Sequence, residues 1–280
     1  MKIGLVLEGG GMRGMYTTAI MDYFLETGLA FDGIFSVSAG ALFGINFLSK
    51  DKYRALRYNL NYIKDKRYIS FQSLLKTGNI INEQFAFHTI PKQLDRFDYE
   101  TYKSNNTDFF VTVTNIHTGK PEYYNLVDAS KQIELLRATS ALPFVSKPVN
   151  YQGNMYLDGG IADSIPYKKA MSMGYDKIIV ILTRPIQYRK SKPNDILIDL
   201  KYRQYPKLKR TLKNRYIEYN QSVESLIELE HEDKVKVIRP SKPININRLE
   251  NDPYKLLEVY RQGLADIQAS YPSLINYLKA

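Results

Sequence analysis

The chain has 280 residues, 44% of them hydrophobic and 24% charged, enough for one large α/β domain with a substantial buried core. It contains no cysteine, which excludes disulfides and thiolate metal sites. Its three histidines, His88, His117 and His231, are too scattered to start a metal centre, so no metal or other cofactor is expected. The net charge of +10 is concentrated in one stretch: Arg184 to Asn220 holds eleven Lys/Arg against three Asp/Glu. Such a face can meet phospholipid headgroups, nucleic acid or only water.

In chain order, Lys2 to Leu7 is a short buried strand followed by the glycine cluster Gly9-Gly10-Gly11. A helix is expected from about Gly14, with Met15, Ala19 and Tyr23 on one side and a C-cap at Gly28. Gly33 to Val37 is a second buried strand and Ala39 to Leu48 the helix after it, the alternation of a parallel sheet. Asp51 to Glu100 is richer in aromatic and charged residues and is expected to hold helices and loops. Phe109 to Ile116 alternates as a strand, and His117-Thr118-Gly119-Lys120 turns the chain into Glu122 to Leu126. Tyr151 to Leu157 is strand-like, with a hairpin around Gln152-Gly153-Asn154. Tyr167 to Met173 is a helix capped by Gly174, and Lys177 to Leu182 a core strand.

From Asp195 the pattern turns helical. Pro206 starts a long amphipathic helix with Leu208, Leu212, Tyr216, Tyr219, Val223 and Leu226 at three-to-four spacing. Val235 to Ile238 is a short strand, and Pro253 opens a last helix with Leu256, Tyr260, Leu264 and Ile267 on one face. The expected organisation is a core over 1–185 with a basic, mainly helical extension over 186–280 packed on it. No secretory signal is readable: Glu8 interrupts the first apolar run, and no later run is long enough to span a membrane. The expected location is cytoplasmic, with the basic segment as the candidate for peripheral contact with the anionic inner membrane face.

Three glycine-marked turns carry chemistry. Gly9-Gly10-Gly11-Met12-Arg13-Gly14 lies between a strand and a helix, where glycines let backbone N–H groups approach a ligand and the helix start adds positive partial charge. It can hold a phosphate or the oxyanion of an acyl-transfer intermediate, and alone it fits a dinucleotide-binding turn equally well. Ser36-Val37-Ser38-Ala39-Gly40 follows the next strand and opens the next helix, the setting of a nucleophile elbow with Ser38 at its centre. Small residues are needed two positions either side; Gly40 is one, and Ser36 stands where the elbow has its first glycine. Leu157-Asp158-Gly159-Gly160 ends a strand with a carboxylate that can reach a nucleophilic hydroxyl. Together the turns supply an oxyanion site, a nucleophile and a base, as acyl transfer requires.

In these residues the chain resembles the patatin-like phospholipases, a family that uses a Ser–Asp dyad. GGGMRG at 9–14, SVSAG at 36–40 and DGG at 158–160 stand in the family's order, supported by Arg137 to Pro143 and by Ile161 to Pro166. The resemblance covers roughly the first 185 residues and is nearest to compact bacterial members. It implies a three-layer α/β/α sandwich with a mainly parallel central sheet, Ser38 as nucleophile and Asp158 as base. It also implies an oxyanion hole from Gly10, Gly11 and the neighbouring Gly9, Met12, Arg13 and Gly14, with Arg13 shaping the turn. Ser36, Gly40, Gly159 and Gly160 would support the elbow and the base. The expected function is hydrolysis of a lipid carboxylic ester, a phospholipid or lysophospholipid, through an acyl-enzyme.

The alternatives use fewer of these features. A dinucleotide-binding fold wants an acidic residue at the end of the second strand, about 20 residues beyond the glycines. Asp32 precedes that strand, and Ser38 would have no role. A catalytically silent lipid-binding protein of the same fold is the alternative to an enzyme. A nucleic-acid partner would rest on charge alone and is not expected. His88 sits in an aromatic helical stretch, His117 in a turn and His231 in a charged run, contexts that suit packing or solvent better than a triad. Acyl length, headgroup and oligomeric state have no signature in the sequence.

Overall fold

The apolar run Ile3–Leu7 forms the first strand, β1, of the computed structural model, which describes residues 1–280. Helix α1 (Met15–Thr27) follows and stops where Gly28 turns left-handed at φ 70°. Then come β2 (Gly33–Val37) and α2 (Ala39–Leu48). The aromatic stretch folds as α3 (Arg54–Tyr62), α4 (Phe71–Thr77), a π-helical segment (Gln84–Leu94) and α5 (Tyr99–Lys103). Strands β3 (Asp108–Asn115) and β4 (Pro121–Asn125), helix α6 (Ile133–Thr139) and the hairpin β5 (Val149–Tyr151) and β6 (Asn154–Asp158) complete the middle. The remainder is α7 (Tyr167–Ser172), β7 (Lys177–Ile181), α8 (Asp195–Lys201), α9 (Pro206–His231), β8 (Val235–Ile238) and α10 (Pro253–Lys279).

The eight strands make one sheet in the order β5-β6-β3-β2-β1-β7-β8, with β4 also paired to β3. From β3 to β8 every pairing is parallel, whereas β4 and β6 run antiparallel to β3, and β5 antiparallel to β6. Alternation along the strands divides the core between two faces. Leu5 and Leu7 of β1 and Ile179 and Ile181 of β7 pack with α1, α2 and α10. Val6, Ile178 and Val180 point the other way, against Tyr167 and Ala170 of α7 and Tyr219, Val223 and Leu226 of α9. The result is the three-layer α/β/α sandwich. The sheet does not stop at residue 185: β8 adds its outermost parallel strand beside β7, and α10 packs along α1. No helix is long and apolar enough to cross a membrane.

One feature of the register positions the site. On β3, Thr112 pairs with Val37, the last residue of β2, and the next residue, Val113, pairs with Asp158, the last residue of β6. Strand β4 shares β3 residues with both partners, so it occupies the opposite edge. Strands β2 and β6 therefore meet end to end along one edge of β3. The residue leaving β2, Ser38, is thereby brought to the residue ending β6, Asp158.

Candidate active site

Ser38 leaves β2 at φ 54° and ψ −127°, a backbone conformation that L-residues rarely adopt, and α2 begins at the next residue. Two features hold it there. Its N–H donates to Thr139 Oγ1 at 2.8 Å, and that hydroxyl donates onward to the Thr112 carbonyl at 2.6 Å. Gly40 lets α2 lie against the end of β1: a Cβ there would stand 2.7 Å from the Leu7 carbonyl oxygen and 2.9 Å from that of Glu8. Ser36, where the elbow pattern has glycine, is buried with its hydroxyl donating to the Phe110 carbonyl at 2.8 Å, so its side chain is accommodated within the sheet.

Ser38 Oγ donates to Asp158 Oδ2 at 2.7 Å, and the Gly160 N–H donates to the other carboxylate oxygen, Oδ1, also at 2.7 Å. Asp158 is buried. Its carboxyl is pushed above the usual carboxylate range by that burial, opposed first by the positive charge of Arg215, then by the Ser38 hydroxyl, the Gly160 N–H and Arg248. A raised value makes the carboxylate a stronger proton acceptor than an exposed one. Gly159 has a steric reason as well: the chain passes so close over the Thr112 carbonyl that any side chain would collide with it.

The glycine turn divides its N–H groups. Gly9 donates to the Ser164 carbonyl at 3.4 Å and Met12 to the Arg248 carbonyl at 2.9 Å, so neither is free for a ligand. Gly14 serves packing, since a Cβ would meet the Phe43 ring of α2 at 2.8 Å. The N–H groups of Gly10 and Gly11 make no hydrogen bond within the protein. A side chain at Gly10 would meet Thr183 Oγ1 at 2.8 Å. Gly11 has φ +57°, and a side chain there would collide with the Arg248 carbonyl. Arg13 is buried, and its side chain enters the polar chamber described next.

Two chambers meet at Ser38, sharing Gly11, Ser38, Leu142 and Arg248 in their walls. One is apolar, lined among others by Met12, Leu42, Phe87, Ile90, Leu136 and Leu249. The other is polar, and Asp158, Arg13 and Arg215 face it. No histidine lines either chamber. His88 lies in the π-helical segment, His117 packs its ring edgewise on Tyr205 at 5.6 Å and His231 ends α9.

Comparison with known proteins assigns the chain. The model of the patatin-like phospholipase family matches residues 5–171, more than half of its length. The chain belongs to the patatin-like phospholipase family. A second model, a domain of unknown function (DUF6363), matches residues 205–279. Among relatives of this family member, the uncharacterized protein YjjU of Escherichia coli (strain K12) is 30% identical over 194 residues, 66% of this chain and 53% of that protein. Lysophospholipase nte1 of Aspergillus terreus is 24% identical over 186 residues, 64% of this chain and 12% of that protein. The lysophospholipase of Mycosarcoma maydis is 25% identical over 187 residues, 65% of this chain and 10% of that protein. The chain thus spans about half of YjjU and about a tenth of the lysophospholipases it matches. The crystal structure of VipD from Legionella pneumophila aligns with 97% of this chain and 67% of its own, at 13% identity and a TM-score of 0.46.

Several site residues had no signal of their own in the sequence. Thr139 lies in the Arg137 to Pro143 stretch, but nothing local marks it as the acceptor of the Ser38 N–H. Glu8, directly after β1, is buried and accepts from the Thr183 N–H and hydroxyl through Oε2 and from the Tyr219 hydroxyl, at 2.8 Å, through Oε1. It thereby ties the ends of β1 and β7 to α9. The basic segment divides. Arg189 pairs with Glu224, and Lys209 and Lys213 pair with Asp199. Arg184, Lys190 and Arg215 turn instead toward the polar chamber.

Proposed function

We propose that this protein is a serine acyl hydrolase that cleaves lipid carboxylic esters through a Ser38–Asp158 dyad. The observation that carries this reading is the 2.7 Å hydrogen bond from Ser38 Oγ to a buried carboxylate at the junction of an apolar and a polar chamber. The acyl chain lies in the apolar chamber and the alcohol portion in the polar one. Asp158 Oδ2 takes the hydroxyl proton as Ser38 Oγ attacks the ester carbonyl carbon. The developing oxyanion accepts hydrogen bonds from the Gly10 and Gly11 N–H groups, which have no partner to give up. Collapse expels the alcohol, which leaves with the proton held by Asp158, and the acyl group stays on Ser38. Water then attacks the acyl-enzyme, its proton passing to Asp158 and back to Ser38 Oγ as the fatty acid departs.

The relatives named as lysophospholipases and the family's own description support a phospholipid or lysophospholipid as the ester. The decisive experiment couples fluorophosphonate labelling with hydrolysis of lysophospholipids, diacyl phospholipids, acylglycerols and short aryl esters. Ser38→Ala should abolish labelling and lower turnover by a factor on the order of 10⁴. Asp158→Asn should be nearly inactive while remaining folded. Normal labelling of the alanine variant would remove Ser38 from its role. A wild-type chain that binds lipid but neither labels nor hydrolyses any ester would instead be a silent binder of this fold.

A further inference from the structure

The polar chamber beside Ser38 carries far more positive charge than the dyad uses. Arg13, Arg184, Lys190, Arg215 and Arg248 line it, and its only carboxylates are Glu8 and Asp158. Both carboxylates are already engaged: Glu8 by Thr183 and Tyr219, Asp158 by Ser38 and Gly160. None of the five cations forms an ion pair within 4.0 Å, although other cations of the segment from Arg184 to Asn220 do. None of their side chains donates a hydrogen bond to the protein. Arg13 is only 7% exposed and its buried Nε has no partner, and the Nε of Arg215 is likewise buried and unpartnered. Lys190 Nζ stands 3.9 Å from the centre of the Tyr219 ring, a contact that holds the ammonium without neutralising it.

Arg13 is buried, Arg184, Lys190 and Arg215 are half-buried and Arg248 stands exposed at the rim; holding cations out of water without counter-charge is costly, and a chamber so lined favours an anion. For three of them the cost shows in their acidity. Burial first, then repulsion from neighbouring arginines, pushes Arg13 and Arg215 down to about 10 and Lys190 well below the usual ammonium value. Four guanidinium groups offer the paired N–H forks that match phosphate oxygens, and an ammonium adds a point charge. In a glycerophospholipid the phosphate is separated from the scissile ester only by the glycerol, the span between two chambers that share Ser38.

We propose that these five cations form a subsite for the phosphate of the substrate's headgroup, and that the enzyme thereby selects acyl esters whose phosphate carries no compensating ammonium. The preferred class is the phosphomonoester type, such as lysophosphatidate, ahead of choline zwitterions and uncharged acylglycerols. This rests on the acyl hydrolase reading above. It also gives the C-terminal region a role: Arg215 on α9 and Arg248 before α10 both fall within residues 205–279, the stretch matched by the domain of unknown function. That region would complete the site by reading the headgroup while residues 5–171 hold the dyad.

The test uses the full chain with lysophosphatidate, lysophosphatidylcholine and monoacylglycerol of one acyl chain, and a short uncharged aryl ester. The wild type should favour lysophosphatidate in kcat/KM by about tenfold or more, the scale of one charge-assisted hydrogen bond. Arg184→Gln and Arg248→Gln should each erase most of that preference, chiefly through KM. Arg189→Gln and Lys209→Gln, in the same basic segment but outside the chamber, should leave both the preference and aryl-ester turnover unchanged. Equal kcat/KM for the three lipids in the wild type, or a preference untouched by the two chamber variants, overturns the proposal. Inorganic phosphate separates a lipid headgroup from the free ion: if it binds and its binding is lost in the chamber variants while lipid preference is absent, the chamber is a free-phosphate site and the headgroup assignment fails. Should no ester at all be hydrolysed, the fault lies with the Ser38 reading. Calorimetric binding of lysophosphatidate against lysophosphatidylcholine to Ser38→Ala then decides the subsite by itself, with equal affinities overturning it.

Discussion

Thr139→Val tests how the strained elbow is held. The substitution keeps nearly the same shape and removes one hydroxyl, which at 0% exposure accepts the Ser38 N–H at 2.8 Å and donates to the Thr112 carbonyl at 2.6 Å. Valine leaves a buried donor without a partner and the carbonyl with one partner fewer. A stranded buried donor costs about 1–3 kcal/mol and the weakened carbonyl somewhat less, so the expected loss of stability is about 2–4 kcal/mol. The Ser38 conformation, φ 54° and ψ −127°, is one that costs energy to maintain, and the Thr139 bond is one of the contacts that hold it. Its release should misplace Oγ and slow acylation by roughly 10- to 100-fold. Urea unfolding reads the first effect and the second-order rate of fluorophosphonate labelling the second. Thr139→Ser retains the hydroxyl and loses only a methyl, so it should cost about 1 kcal/mol and label nearly as fast as the wild type. If valine labels at the wild-type rate, or if serine slows labelling as much as valine does, the hydroxyl is not what positions the nucleophile.

Further outcomes follow from the same geometry. As the proposed base, Asp158 would have to be ionised to take a proton, and its carboxyl is raised by burial, so kcat/KM should fall on acidification with an inflection above the usual carboxylate range. Arg215→Gln removes the charge that most opposes this rise and should move the inflection higher; a downward or absent shift in the pH–rate profile would count against Asp158 as the base. Gly40→Ala puts a methyl 2.7 Å from the Leu7 carbonyl oxygen and should cost roughly 1–3 kcal/mol with loss of activity, measured by thermal melting beside turnover. Replacing His88, His117 and His231 together should keep activity within about tenfold, and a single folded histidine variant without activity would restore a triad. Asp22 is buried, accepting from the Tyr53 N–H and the Tyr260 hydroxyl, and is raised from 3.8 to about 6, chiefly by burial. The folded state thus holds this proton more tightly than the unfolded one, so stability from this group falls as pH rises from about 4 through 6, by about 3 kcal/mol in all. Asp22→Asn should flatten that slope in urea unfolding measured across the window.

Much of the scaffold was legible because its signals are local. Apolar runs bounded by turn residues marked Gly33–Val37 and Val235–Ile238 to the residue, and three-to-four spacing from Pro206 and Pro253 marked the two long C-terminal helices. The packing faces are less legible: Tyr216 and Leu264 fall in the apolar stripes by spacing but are only half-buried, because the stripe that packs is set by the neighbouring elements. Helix Ile133–Thr139 has no signature in the sequence, because seven residues give too little periodicity to separate a helix from a loop. Ser38 and Asp158 are legible because each sits in a glycine-marked turn, although the contacts that require Gly40 and Gly159, with the Leu7 and Thr112 carbonyls, are long-range. Their contact could not be derived from spacing: they are 120 residues apart, and they meet because Val37 and Asp158 pair with consecutive residues of β3. Charge shows the same divide. Composition identified Arg184 to Asn220 as basic, but only folding decides which cations find a carboxylate. Arg189, Lys209 and Lys213 do, while Arg184, Lys190 and Arg215 are turned inward to join Arg13 and Arg248 from distant parts of the chain. A count of charges is additive along the chain, whereas counter-ion pairing depends on distances in space, and those distances exist only in the tertiary structure.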